Sequence, residues 1–103
     1  MEKLIVSEII EPERKRRSYL EMELSILSVL SHQPLIRTHV MYKANVNFSM
    51  LTEICSRMIS SGLIKYERIR GQGKRRFYRL TYKGNEALKT YRQLRSFVPL
   101  RVK

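Results

Sequence analysis

Acidic side chains are scarce in this chain. Nine Asp and Glu stand against 21 Lys and Arg over 103 residues, a formal net charge of +12 with a pI near 10.4. The single cysteine, Cys55, rules out an internal disulfide and points to a reducing compartment, the cytoplasm. It falls at an apolar helical position, where a buried inert thiol is expected rather than a nucleophile. With only two histidines, His32 and His39, there is no metal set. The few carboxylates are scattered, with no pair placed for acid–base work, and no Ser/His/Asp spacing stands out, so no catalytic residue and no enzyme activity is expected. Gly71-Gln72-Gly73 is the one glycine-rich piece, and it sits between two strand-like runs rather than before a helix. It therefore matches no nucleotide cradle, and no cofactor is implied. No apolar run approaches the length of a membrane span, and Met1 to Ile10 is too acidic and mixed for a signal peptide. Internal repeats and low-complexity segments are absent too.

What the chain has is one-sided charge in one half. Residues 1 to 17 carry five basic and four acidic side chains, and residues 18 to 61 carry three of each. Residues 62 to 83 carry eight against one, and residues 84 to 103 carry five against one. Such an excess calls for a polyanionic partner, and nucleic acid is the commonest. The densest part is Gly62 to Leu80. Leu63 to Arg70 alternates with a period of two, the mark of a half-buried strand. The two glycines then supply the positive φ angles of a reversal, and Phe77, Tyr78 and Leu80 begin the return. A hairpin whose tip and return arm carry Lys74, Arg75, Arg76 and Arg79 is suited to phosphate oxygens. Blocking of a sheet edge also uses Lys and Arg, but seldom with so one-sided a count.

The rest of the chain reads as helices around that hairpin. Leu4, Ile5, Val6, Ile9 and Ile10 form an apolar arm, compatible with a strand over Lys3 to Ile10, that needs its own domain or a partner subunit to pack on. The basic run Arg14 to Arg17 either contacts phosphates or is a solvated linker. Ser18 and Glu21 form a capping box for a first helix that should stop near His32, ahead of Pro34. A second helix is expected over Leu35 to Ala44, with Pro34 at its start and Ile36, Val40 and Met41 on its buried face. After the turn Asn45-Val46-Asn47, Asn47 caps a third helix over Phe48 to Ser61, with Gly62 as its left-handed stop. Its apolar side holds Phe48, Leu51, Ile54, Cys55, Met58 and Ile59. At about 100° per residue the opposite side holds Ser49, Glu53, Ser56, Arg57 and Ser60, flanked by Met50. Thr81 caps a fourth helix through Val98, with Leu88, Tyr91, Leu94 and Val98 on one stripe, and Pro99 ends it.

This order, helix–helix–turn–helix–hairpin–helix, makes a mostly α, α+β chain with a winged helix-turn-helix architecture. Residues 17 to 91 resemble the small archaeal winged-helix regulators and chromatin proteins that dimerise through a C-terminal helix. The resemblance is carried by Arg17-Ser18-Tyr19-Leu20-Glu21 with Ile26-Leu27, and by Thr38-His39-Val40-Met41-Tyr42-Lys43-Ala44-Asn45-Val46-Asn47. Ser61-Gly62-Leu63-Ile64 and Tyr78-Arg79-Leu80-Thr81-Tyr82-Lys83-Gly84 add to it. The Met-Tyr-Lys-Ala-Asn piece is specific, whereas the last is shared by many winged helices. The C-terminal helix is shorter than in much of that family, and the apolar arm is foreign to it. The resemblance implies a homodimeric, non-catalytic protein that binds double-stranded DNA on the nucleoid.

The chain then divides into an arm (1–17), a winged helix-turn-helix (18–81) and a dimerisation helix with a basic tail (82–103). The third helix would enter the major groove, with Asn47, Ser49, Met50, Glu53, Ser56 and Arg57 at the DNA. The wing would lie on the backbone or minor groove through Arg70, Gln72, Lys74, Arg75 and Arg76. Leu88, Tyr91, Leu94 and Val98 would meet a second copy. Two other readings stand beside the transcriptional regulator: an architectural chromatin protein with little sequence preference, and a winged-helix protein-interaction module. The base-reading face offers only Arg57 and Glu53 as long polar side chains, which leaves regulator and architectural protein open.

Overall fold

The computed structural model describes residues 18–97. The arm 1–17, Val98 and the tail to Lys103 lie outside the described residues. Helix α1 (Tyr19–Leu30) opens on the expected capping box: the Ser18 hydroxyl accepts from the Glu21 amide at 3.1 Å, and the Ser18 amide donates to Glu21 Oε1 at 3.2 Å. It buries Ile26, Leu27 and Leu30.

The first departure from expectation follows Pro34. Leu35–Ile36 is not the start of a helix but a short strand, β1, and helix α2 spans Arg37–Ala44 with Ile36 as an extended N-cap. Proline fixes its own φ but does not oblige the next two residues to be helical. Here Leu35 and Ile36 pair antiparallel with the return strand of the hairpin, Leu35 opposite Tyr78 and Ile36 opposite Phe77. Among the described residues the sheet therefore has three strands, in the order β1-β3-β2, rather than two.

Helix α2 buries Val40 and Ala44 and ends at Asn45, whose φ of 58° is left-handed. Asparagine tolerates that region better than any other residue with a Cβ. Helix α3 (Phe48–Ser60) is capped as expected, the Asn47 carboxamide oxygen accepting from the Met50 amide at 2.9 Å. It buries Leu51, Ile54, Cys55 and Met58, and Gly62 follows at φ 80°. Phe48 is the exception: it belongs to the apolar side by periodicity, yet it is 52% exposed. In the first turn of a helix the core has already curved away, so angular position alone does not bury a side chain.

Strands β2 (Ile64–Glu67) and β3 (Phe77–Leu80) pair antiparallel with Tyr66 opposite Tyr78 and Ile64 opposite Leu80. The strand expected to run to Arg70 ends at Glu67, leaving residues 68–76 as the wing loop. Helix α4 (Tyr82–Phe97) then packs back on α1 and β3.

One joint fixes the hairpin, α3 and α4 to each other. The Thr81 amide donates to the Leu63 carbonyl at 3.1 Å, and the Thr81 hydroxyl donates toward the Gly62 and Leu63 carbonyls at 2.6 and 3.0 Å. The same hydroxyl accepts from the Gly84 amide at 3.0 Å, capping α4. Lys83 Nζ donates to the Ser61 carbonyl at 2.7 Å, satisfying an acceptor at the end of α3. Gly84 is buried so close to Leu63 that a Cβ there would land on the Leu63 carbonyl oxygen. Leu88, one turn on, is 3% exposed and completes the core with Ile26, Val40, Leu51, Ile54, Met58 and Ile64.

Backbone atoms cannot yield as a side-chain tip does, so Gly84→Ala should lower unfolding free energy by about 2–3 kcal/mol. Thr81→Val, which keeps the shape but removes the hydroxyl, should cost about 1–2 kcal/mol. Urea titrations at fixed pH measure both, and an unmoved midpoint in Gly84→Ala would show that α4 does not seat on Leu63.

Candidate nucleic-acid interface

Helix α3 shows its small polar side to solvent. Ser49, Glu53, Ser56 and Arg57 are exposed, whereas Met50 is half-buried against the core. Asn47 is exposed, but its carboxamide oxygen is occupied by the cap and also accepts from Ser49 Oγ at 3.3 Å. Arg57 does not extend freely from the helix. Its guanidinium carbon lies 4.9 Å from the centre of the Tyr19 ring, and Nη1 donates to the Tyr19 hydroxyl at 3.2 Å. The longest donor on the outer face is thus stacked on α1.

The wing loop carries Arg70, Gln72, Lys74, Arg75 and Arg76, all exposed, around Gly71 at φ 86° and Gly73 at φ 67°. Arg79, grouped with these cations in the sequence, behaves differently. It pairs with Glu67 across the hairpin, at a diagonal position on the same sheet face. That contact holds the Glu67 carboxyl below its usual range. The one acid of the hairpin is therefore spent on the strand arms, and the tip keeps its positive charge.

Two residues that the sequence did not single out, Arg37 and Tyr66, complete the surface. Arg37, at the start of α2, lies with its guanidinium carbon 5.4 Å from the centre of the Phe48 ring. Its pKa is raised, hydrogen bonding to Tyr78 foremost. Tyr66 stacks on Tyr78, with ring centres 5.2 Å apart and planes 26° apart. Arg76 lies over the outer side of Tyr66 at 4.2 Å. Between α2 and the wing these groups line a pocket of about 450 Å³. The pattern Leu35-Ile36-Arg37 gave no sign of this, because the residues read as one amphipathic helix until β1 is seen to turn Arg37 toward the wing.

Behind the pocket the polar groups become buried. Burial pushes the Cys55 thiol up to about 11 and the Tyr78 phenol up to about 12. A thiol so disfavoured as thiolate is an inert core group, as its helical position suggested. Among the described residues no group of three or more His, Cys, Asp or Glu comes together. No helix among them is long and apolar enough to cross a membrane.

On the far side of the domain, α1 and α4 enclose a groove of about 610 Å³ lined by Leu20, Leu24, Ser28, Tyr91, Arg92 and Arg95 among others. Leu20, Leu94 and Phe97 are 56%, 51% and 81% exposed. Of the stripe expected to meet a second copy, Leu88 is already buried in its own domain, Tyr91 is half-buried, Leu94 is free, and Val98 lies outside the described residues.

The sequence pattern described as winged helix-turn-helix matches residues 16–98. No curated protein matches the chain. Among solved structures, a PadR family transcription regulator from Clostridium difficile is similar with a TM-score of 0.62 and 23% identity, over 74% of this chain and 88% of that one. The smu.1704 protein from Streptococcus mutans has a TM-score of 0.68 and 22% identity, over 78% and 80%. Sso10a-2, a DNA-binding protein from Sulfolobus solfataricus, has a TM-score of 0.62 and 18% identity, over 84% and 100%. At such identities the likeness is one of fold.

The buried thiol and phenol carry a pH signature. Both are neutral in the folded chain at pH values where the unfolded chain ionises, so each contributes stability that is present below its unfolded pKa and lost as pH rises toward the folded one. Stability should therefore fall from pH 9.0 toward about 11 through Cys55, with Tyr78 adding to the fall above 10.0. Urea midpoints along a pH series read this out. In Cys55→Ala the decline should begin only above pH 10, and an unchanged onset would mean that another group governs alkaline unfolding.

Proposed function

Given that the chain belongs to the winged helix-turn-helix family, we propose that it is a dimeric transcriptional regulator that binds double-stranded DNA, with α3 in the major groove and the wing on the backbone or minor groove. The observation that carries the reading is the wing's uncompensated charge. Arg70, Lys74, Arg75 and Arg76 stand exposed, and Glu67, the hairpin's one acid, is committed to Arg79. Phosphates are the counter-ions such a surface selects. The small side chains of Ser49 and Ser56 give the helix close access to a groove, with Glu53 able to accept from a cytosine amine.

A second reading, a sequence-tolerant architectural protein, is favoured by one specific observation. Arg57, the bidentate donor of the outer face, is engaged with Tyr19. If Arg57 leaves that ring to fork onto a guanine, Arg57→Ala should cost about 1–3 kcal/mol on a selected site and little on random DNA. Equal losses on both would remove the sequence-specific regulator and leave the architectural protein.

Dimerisation is proposed through the outer side of α4, where Leu94 and Phe97 are free, with Leu20 of α1 beside the groove. Leu94→Glu with Phe97→Glu is the informative pair, since Leu88→Glu would break the core instead. Sedimentation should show a shift to monomer mass, and an unchanged dimer would move the interface elsewhere.

The charge itself is tested by a salt series on duplex DNA. Log affinity should fall linearly with log salt, and replacing Lys74, Arg75 and Arg76 together by Ala should weaken binding to every sequence, with the slope flattened by up to about 0.9 per lost phosphate contact. A flat salt dependence of the wild type would reject DNA as the partner.

A further inference from the structure

The pocket between α2 and the wing does more than collect charge. Three guanidinium groups from two separate elements, Arg37 on α2 and Arg75 and Arg76 on the wing's return, line one cavity with Thr38, Tyr66 and Tyr78. Among the described residues none of the three arginines pairs with a carboxylate. Two of them are nonetheless held in place: Arg76 lies over Tyr66 at 4.2 Å, Tyr66 is stacked on the buried Tyr78, and Arg37 is seated against the Phe48 ring at 5.4 Å. Ile36, the N-cap of α2, has no side-chain oxygen to accept from the first-turn amides, so the positive end of that helix is left open beside Arg37 and Thr38. Oriented cations, a hydroxyl and an uncapped helix start around one cavity make a receptor for a tetrahedral oxyanion.

We propose that Arg37, Arg75 and Arg76 form a clamp for a single phosphodiester of the DNA backbone, at the seam between helix-turn-helix and wing. The proposal rests on the DNA-binding reading above and adds to it a residue outside both wing and recognition helix. Arg37 is the pivot, because β1 ties its backbone to the wing strand while its side chain reaches the first residue of α3. One phosphate held there fixes the register of wing and recognition helix on the same duplex. A free phosphate compound offers the same oxyanion chemistry, and the experiment separates the two sources.

Affinity for duplex DNA is measured across a salt series for the wild type, Arg37→Ala, Arg37→Lys and, as a control outside the pocket, Lys74→Ala. Arg37→Ala should weaken binding roughly ten- to a hundredfold and flatten the salt slope by about 0.9 per subunit. Arg37→Lys should keep the slope while losing affinity, because the charge remains and the fork is lost. An unchanged slope in Arg37→Ala, with Lys74→Ala weakened, overturns the clamp and spares the DNA-binding reading. A wild type that binds no duplex overturns both, and this is seen before any variant is made. Inorganic phosphate and a nucleoside monophosphate are titrated separately at constant ionic strength. Saturable submillimolar binding that Arg37→Ala abolishes, with the DNA slope unaltered, assigns the pocket to a free ligand and also overturns the proposal. Thermal melting by circular dichroism checks folding. Should Arg37→Ala melt early, Arg76→Ala takes its place with the same expected flattening, and an unchanged slope there counts against the clamp equally.

Discussion

The close approach of Gly84 to the Leu63 carbonyl is the constraint on which the architecture depends. Leu63 leads from the end of α3 into β2, and its carbonyl also receives the Thr81 amide at the exit from β3. Leu63 thus meets the end of α3 through its amide, which donates to the Met58 carbonyl at 2.9 Å, and the exit of the hairpin and the start of α4 through its carbonyl. The three residues of the Thr-x-Lys-Gly run divide the work: a hydroxyl that bridges and caps, an ammonium that satisfies the last turn of α3, and an absent Cβ that permits contact. A motif widely shared among winged helices therefore has a mechanical explanation here. It sets the angle between α3 and the wing.

Charge on this scaffold is distributed by pairing rather than by number alone. Arg79 is neutralised by Glu67 along the strand arms, so the stem of the hairpin is held together while its tip is not. Arg57 rests on Tyr19, Arg76 on Tyr66 and Arg37 on Phe48. Aromatic rings thus position three of the basic side chains without cancelling their charge, which a carboxylate would do. The surface is positive and partly pre-arranged at once.

Much of this was legible in the sequence because local rules and tertiary demands agree. The capping box at Ser18, the caps at Asn47 and Thr81, the left-handed Gly62 and the four helices follow from side-chain chemistry within a few residues. What failed did so for tertiary reasons. Leu35–Ile36 is a strand only because β3 has a free edge to pair with, and a two-residue strand leaves no periodicity to read. Phe48 follows the apolar side of its helix yet lies beyond the reach of the core, and Leu88 follows an outward stripe yet lies within it. Arg37 gave no signal at all, since its neighbours Tyr66 and Arg76 are about thirty residues or more away in the chain and meet it only through the sheet.

Among the described residues, chain neighbours aside, nothing lies within 4 Å of where a Cβ would stand on either tip glycine. The wing loop therefore carries no packing duty at its apex, and its ends are already closed by the β2–β3 ladder. Doubling such a loop costs only about 0.6 kcal/mol in closure entropy. Insertions beside residues 71–73 should thus cost little in folding, whereas one added carbon at Gly84 does not. The wing is thus the part of the domain whose length can grow while the joint at its base stays fixed.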